Sequence, residues 1–312
     1  MVWDAPGHEG RADHSNKGKV PDPCEMPSGR RAKGVIWRNH GCNHGCNVRA
    51  RLHCCAMSER APTRLFHPGP LHAGASVQLD EHASHHAVRV LRLTAGAALE
   101  LFNGSGLRWP ATLLEARANG AAVQLGDPIN ARTESPLDLH LAQCLPGGDK
   151  MDWVVEKAVE MGVRSVQPLQ ARRSVLRLDT ARATKRLAHW QRIAIAACMQ
   201  CGRDTVPEIH PIIDLERWLQ TSSPQGGADP VARRWLLSPS STGEAPSVGP
   251  TPKIVWLLVG PEGGLAEEET ARALAAGWEP LQLGPRVLRT ETAGLAALAA
   301  VQTRFGDFTG LR

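Results

Sequence analysis

Residues 58–135 alternate between apolar and polar positions in short runs, the period of strands that bury one face. Ser76–Leu79, Leu99–Phe102, Leu107–Leu114 and Ala121–Leu125 are the expected strands, and Asn103-Gly104-Ser105-Gly106 reads as a hairpin turn between the second and third. One helical interval interrupts them: over Glu81–Leu93, Ala87, Val88 and Leu91 fall on one face. Short strands with glycine turns between them predict a small β-barrel.

From residue 136 the pattern changes to strands alternating with helices. Leu137–Leu145 is a strand, and Gly147-Gly148-Asp149 opens a helix in which Val154, Val155, Ala158, Val159 and Met161 recur at helical spacing, with Gly162 as its stop. Val163–Leu169 is the next strand. Thr180–Met199 is a long helix with Leu187, Trp190, Ile193, Ala194 and Ala197 as its apolar stripe. Pro207–Ile213 and Leu215–Leu219 read as a short strand and a short helix. Residues 220–253 are rich in Ser, Pro and Gly and are expected to form a mobile loop. Ile254–Val259 is continuously apolar, as in a strand buried on both faces. Glu279–Leu283 is a further strand, and an Ala-rich helix closes the pattern near Arg304. This alternation predicts an α/β domain with a mainly parallel sheet over residues 136–312.

Residues 1–57 show no period of either kind. Their Gly, Pro, Arg, His and Cys content fits a disordered extension, or a start assigned upstream of a natural one at Met57. His40, Cys42, His44, Cys46, Cys54 and Cys55 are zinc-binding residue types, but only one Cys-x3-Cys pair is spaced for a site, so no metal is expected. Net charge is +5, and residues 1–57 supply nine Lys/Arg against five Asp/Glu. The remainder is nearly balanced, so any nucleic-acid contact must come from a local patch. No apolar run reaches membrane-spanning length and no secretory leader is visible, which gives a cytoplasmic expectation.

In an open parallel sheet ligands bind beyond the carboxyl ends of the strands. Two loops stand there, Gly260-Pro261-Glu262-Gly263-Gly264 and Leu283 through Ala293. Glycine lets the backbone approach a ligand closely. Neither loop matches a dinucleotide or P-loop fingerprint, which disfavours a nucleotide-binding oxidoreductase.

These two loops resemble those of the RsmE-type 16S rRNA (uracil N3) methyltransferases of the SPOUT superfamily. Lys150-Met151-Asp152-Trp153, Glu160-Met161-Gly162-Val163, Ile193 through Cys198, Gln200-Cys201-Gly202-Arg203 and Arg304-Phe305-Gly306-Asp307 extend the resemblance over roughly residues 62–308. Met199 departs from it, standing where relatives commonly carry Glu. The resemblance implies a PUA-like RNA-binding barrel over 58–135 and a SPOUT domain over 136–312 with a deep trefoil knot. It also implies a homodimer and S-adenosyl-L-methionine as cofactor. Carried over by motif, Leu258, Val259, Gly260, Glu262, Gly263, Gly264, Leu283, Gly284, Val287, Leu288, Arg289, Thr292 and Ala293 line the cofactor site, largely through backbone groups. The implied reaction is methylation of N3 of uridine 1498 in 16S rRNA of the 30S subunit.

Uracil N3 carries a proton, so the site must favour the uridinate. Arg289 is the candidate cation, and Glu291 the candidate to accept the proton or to hold Arg289. Arg64, His85, His86, Arg89, Arg92, Arg172, Arg173 and Arg203 are the candidate RNA contacts. The alternatives are a ribose 2′-O-methyltransferase of the same superfamily and a non-catalytic RNA-binding assembly protein.

Overall fold

A computed structural model describes residues 62–222, 231–238 and 250–308. The extension 1–57, with its cysteines and histidines, lies outside the described residues. The first layer holds β1 (Thr63–Phe66), β2 (Ser76–Gln78), α1 (Glu81–His85), β3 (Ala98–Phe102), β4 (Arg108–Glu115) and β5 (Ala122–Leu125). They form one curled sheet in the order β1-β3-β4-β5-β2, antiparallel except for β1 beside β3. The ladder is open between β1 and β2, so the hydrogen bonds do not close the expected barrel. Alternate residues point inward, and Leu65, Leu99, Leu101, Trp109, Leu113 and Val123 form the core. Ala83 and Ala87 plug it from the helix side.

That helix starts where the pattern placed it, with the Asp80 carboxylate accepting the Ala83 N–H at 2.7 Å. It then widens to a π-helical turn over His86–Val90, with the Leu91 N–H reaching the His86 carbonyl. It ends on Arg92 at φ 56°, a left-handed conformation uncommon away from glycine.

The second layer contains β6 (Asp138–Cys144), α2 (Lys150–Glu160), β7 (Ser165–Gln170), α3 (Thr180–Cys201), β8 (Glu208–Ile209), β9 (Ile213–Asp214), α4 (Leu215–Ser222), β10 (Ala232–Leu237), β11 (Ile254–Val259), α5 (Glu267–Ala275), β12 (Glu279–Leu281) and α6 (Thr290–Phe305). Every strand pair is parallel, in the order β12-β10-β11-β6-β7-β8, with β9 also on β7. One sheet face packs under α2, α3 and α6, around Leu139, Leu141, Val155, Trp190, Val259 and Leu298. The other packs under α4 and α5, around Leu169, Leu215, Leu236, Leu258 and Trp278. Burial on both faces explains the unbroken apolar run of β11.

The expected loop over 220–253 requires correction. Ala232–Leu237 is a sheet strand between β11 and β12, with Trp235 and Leu236 buried. Its two arginines and its Ser/Pro/Gly neighbours masked a short strand whose apolar half is only Trp235-Leu236-Leu237.

The layers are joined by a buried charge quartet. Arg64 and Arg108 of the barrel both reach Asp204, at 2.7 and 2.8 Å, and both also reach Glu100. Arg64 Nη2 also donates to the Arg203 carbonyl and Arg108 Nη2 to the Gly202 carbonyl, while the buried Arg64 Nε has no partner among the described residues. Phe66 and Phe102 add an apolar contact to the second layer's core.

Across the middle of the sheet His140 stacks on Trp256, with centroids 4.2 Å apart, and its Nδ1 lies 2.8 Å from the Ser165 hydroxyl. Burial pushes the imidazole down to about 4, assisted by Arg164 and His210 against Asp138. The unfolded chain therefore binds a proton that the folded chain refuses between about pH 6.5 and 4. Stability should fall by about 3 kcal/mol as pH drops through that window, or about 2 once the ring's remaining solvent exposure is discounted. Denaturation midpoints across it test this: His140→Phe keeps the stack and should flatten the dependence, and an unchanged curve would remove His140 as its source.

Candidate active site

Three loops leave the carboxyl end of the sheet side by side. Residues 145–149 follow β6, residues 260–266 follow β11 and residues 282–289 lead from β12 into α6. The first two are joined by Glu262, whose Oε1 accepts the Gly147 N–H at 2.9 Å and the Lys150 ammonium at 3.1 Å. Lys150 also lies 3.3 Å from Glu291 in the first turn of α6. The second and third loops are joined below: the Thr290 hydroxyl donates to the Gly260 carbonyl at 2.5 Å, and the buried Gln143 amide donates to Thr290 at 2.9 Å. Gly294 lets α6 approach this close, since a Cβ there would meet Gln143, Leu141 and Val259 at 3.2–3.3 Å.

Partial burial alone would raise the Glu262 carboxyl. The Gly147 N–H and Lys150 outweigh it and hold the group below its ordinary value. The same hydrogen bond to Glu262, with Glu291, raises Lys150. The Glu262–Lys150 pair is therefore held in its ionised form, with Glu291 against the same ammonium.

The third loop and α6 line a cavity of about 300 Å³, bounded by Leu283, Gly284, Arg286, Leu288, Ala296 and Ala300. Gly284 sits at φ 133°, and a Cβ there would project into open space, so bare backbone faces the cavity edge. Val287 is exposed, as are Gly263, Gly264 and Thr292, while Ala293 is half-buried. Leu258 and Val259 behave differently: their side chains are fully buried in opposite cores, so only their backbone reaches the loop region. Ala296 and Ala300 were not anticipated, because a small-residue face on an Ala-rich helix reads as packing. Arg289 stands at the N-cap of α6, solvent-exposed, and its side chain makes no hydrogen bond or ion pair among the described residues. Glu291 engages Lys150 rather than Arg289.

The expected RNA contacts divide. Arg203 is buried, paired with Glu134 at 2.6 Å and donating to the Val159 and Val163 carbonyls. Arg64 is consumed by the interlayer quartet. Both are corrected to structural roles, because their fixed partners leave no group for a phosphate. Arg172 is half-exposed but paired with Glu216 and Glu268. Arg173 donates to the Gly263 and Leu265 carbonyls and props the second loop. His85, Arg89 and Arg92 are exposed on the barrel helix, with His86 half-buried beside them.

A parallel sheet with glycine loops at its carboxyl end, joined to a small β domain, has matches among known families. The RNA methyltransferase domain model matches residues 133–302, more than half the chain, and the RNA methyltransferase PUA domain model matches 79–126. The protein is thus an RNA methyltransferase by family. Ribosomal RNA small subunit methyltransferase E of Bacillus subtilis is 33% identical over 70% of this chain and 86% of its own length. That of Buchnera aphidicola subsp. Schizaphis graminum is 30% identical over 81% of this chain and 100% of its own length. The crystal structure of the Neisseria gonorrhoeae enzyme bound to S-adenosyl methionine is 37% identical, covers 80% of this chain and all of its own, and superposes with a TM-score of 0.72. The chain belongs to the ribosomal RNA small subunit methyltransferase E family.

Proposed function

We propose that this protein transfers a methyl group from S-adenosyl-L-methionine to N3 of uridine 1498 of 16S rRNA within the 30S subunit. The observation that carries the reading is the three-loop junction pinned by Thr290, Glu262 and Lys150, in a chain of this family whose third loop also lines a cavity with α6. The donor set fits the cofactor in kind: Leu283, Leu288, Ala296 and Ala300 offer an apolar wall for a purine, and Gly284 offers bare backbone. Gly260, Glu262, Gly263, Gly264, Val287, Thr292 and Ala293 complete the proposed holding set, with Leu258 and Val259 contributing backbone only. When bound, S-adenosylmethionine supplies an electrophilic methyl group on a sulfonium.

The chain's own task is to present N3 without its proton. Arg289 places an uncommitted guanidinium at the start of α6, where it stabilises the anionic pyrimidine. Lys150 is already met by Glu262 and Glu291, so its part is to tie the loops together, and Glu291 holds it in place. A carboxylate already paired with an ammonium is a weak base, so Glu291 acts here by positioning. The barrel of residues 58–135 docks RNA through His85, His86, Arg89 and Arg92, and residues 136–312 form the SPOUT unit. A deep trefoil knot in that unit is part of the proposal and rests on the family resemblance alone. A homodimer in the cytoplasm completes the proposal.

The test is labelled cofactor with unmodified 30S subunits and with free 16S RNA, followed by nucleoside mass spectrometry. The expected product is 3-methyluridine at one position. Ribose methylation, or no incorporation into either RNA, would overturn the assignment.

A further inference from the structure

Between Arg172 and Arg192 the chain carries seven Lys/Arg and a single acid, Asp179, although the whole protein has a net charge of only +5. Helix α3 itself contains no acidic residue. At 100° per residue Arg182, Lys185, Arg186, His189 and Arg192 occupy about a third of its circumference. They run for about 15 Å along it. Trp190, Ala194, Ala197 and Cys198 hold a different side against the core. Part of the stripe already has partners: Arg186 pairs with Asp149 and Arg182 with Asp179, and the His189 ring lies 2.8 Å from Asp152. Lys185 and Arg192 are exposed and make no ion pair among the described residues.

The stripe is continuous with the candidate active site. Arg173, at the start of the basic segment, grips the Gly263 and Leu265 carbonyls. Arg186 ties α3 to Asp149, next to Lys150 and the Gly147 N–H that receives Glu262. A polyanion whose target residue sits at the loop junction has these cations along its path.

We propose that the solvent face of α3, centred on Lys185 and Arg192, binds the phosphate backbone of the RNA flanking the target base, independently of sequence. This rests on the methyltransferase reading above and adds a second RNA-binding surface to the barrel helix. It neutralises phosphates and leaves base selection elsewhere.

The test compares wild type with K185Q/R192Q, in which two exposed residues outside the catalytic junction are replaced by good helix formers. Binding to unmodified 30S subunits is measured against salt, alongside methyl-transfer kinetics and calorimetry with S-adenosylmethionine. Losing two phosphate contacts should reduce the slope of log K against log salt by about 1.4–1.8. KM for the subunit should rise about tenfold near 0.1 M salt. The kcat, the cofactor affinity and the modified position should stay unchanged, and K185R/R192K should restore the slope. Unchanged slope and KM in the double variant would overturn the proposal while leaving methyl transfer intact. A wild-type protein that shows the slope difference yet transfers no methyl group would overturn the reaction and leave the surface standing.

Discussion

Asp204→Ala is expected to cost about 3–5 kcal/mol of unfolding free energy, measured by urea denaturation. The Asp204 side chain is 2% exposed and receives Arg64 at 2.7 Å and Arg108 at 2.8 Å. With Glu100 the four groups balance, two cations against two anions, with Arg108 and Glu100 keeping 16% and 17% of their side-chain exposure. Removing one anion leaves two guanidiniums sharing Glu100 alone, and an uncompensated buried charge costs more than its lost pair was worth. The loss is a large part of the 5–15 kcal/mol that ordinarily separates folded from unfolded domains. Arg117→Ala is the contrast. Its pair with Glu115 is mostly exposed, and its loss should change stability by no more than about 0.5 kcal/mol. Equal small losses in the two variants would show that the quartet is solvated and does not fasten the layers. Because the quartet joins the barrel to the sheet domain, the same variant should also loosen RNA docking before it affects cofactor binding.

The quartet also shows where sequence reading stopped. Period and turn signals placed most strands of both layers, though neither β1 nor β10, because apolar alternation and burial on two faces write themselves along the chain. They said nothing of partners far apart in sequence. Arg64 lies 140 residues from Asp204, and Arg203 lies 69 from Glu134. An arginine read alone looks like surface, so both were given to RNA. Lys150 was visible in a motif without a role, since Glu262 and Glu291 follow it by 112 and 141 residues. The two glycine loops were legible because glycine and proline mark backbone shape locally. The side chains that pin them, Gln143 and Thr290, were not, because a buried amide inside a strand resembles any other polar position until its partner is known. Strand β10 failed for a different reason: its flanks, rather than its own residues, dominated the composition of the window.

Arg289→Ala is expected to lower kcat for methyl transfer by about 10²–10³ while leaving calorimetric affinity for S-adenosylmethionine within a few-fold. The expectation follows from position. Arg289 caps α6 next to Thr290, whose hydroxyl fixes the start of the helix to Gly260, so the arginine's backbone is held while its guanidinium remains uncommitted. The cofactor-holding groups assigned here are backbone and apolar surfaces, which truncation of an exposed side chain leaves in place. The pH profile separates a chemical role from a structural one. A cation beside the pyrimidine lowers the pH at which N3 gives up its proton, so its removal should move the half-maximal rate upward in pH as well as lowering the rate at neutrality. Arg289→Lys keeps the charge but not the fork, and should recover part of the rate with a smaller displacement of the profile. A profile reduced uniformly at every pH, with no displacement, would instead mean that Arg289 shapes the loop and takes no part in stabilising the uridinate.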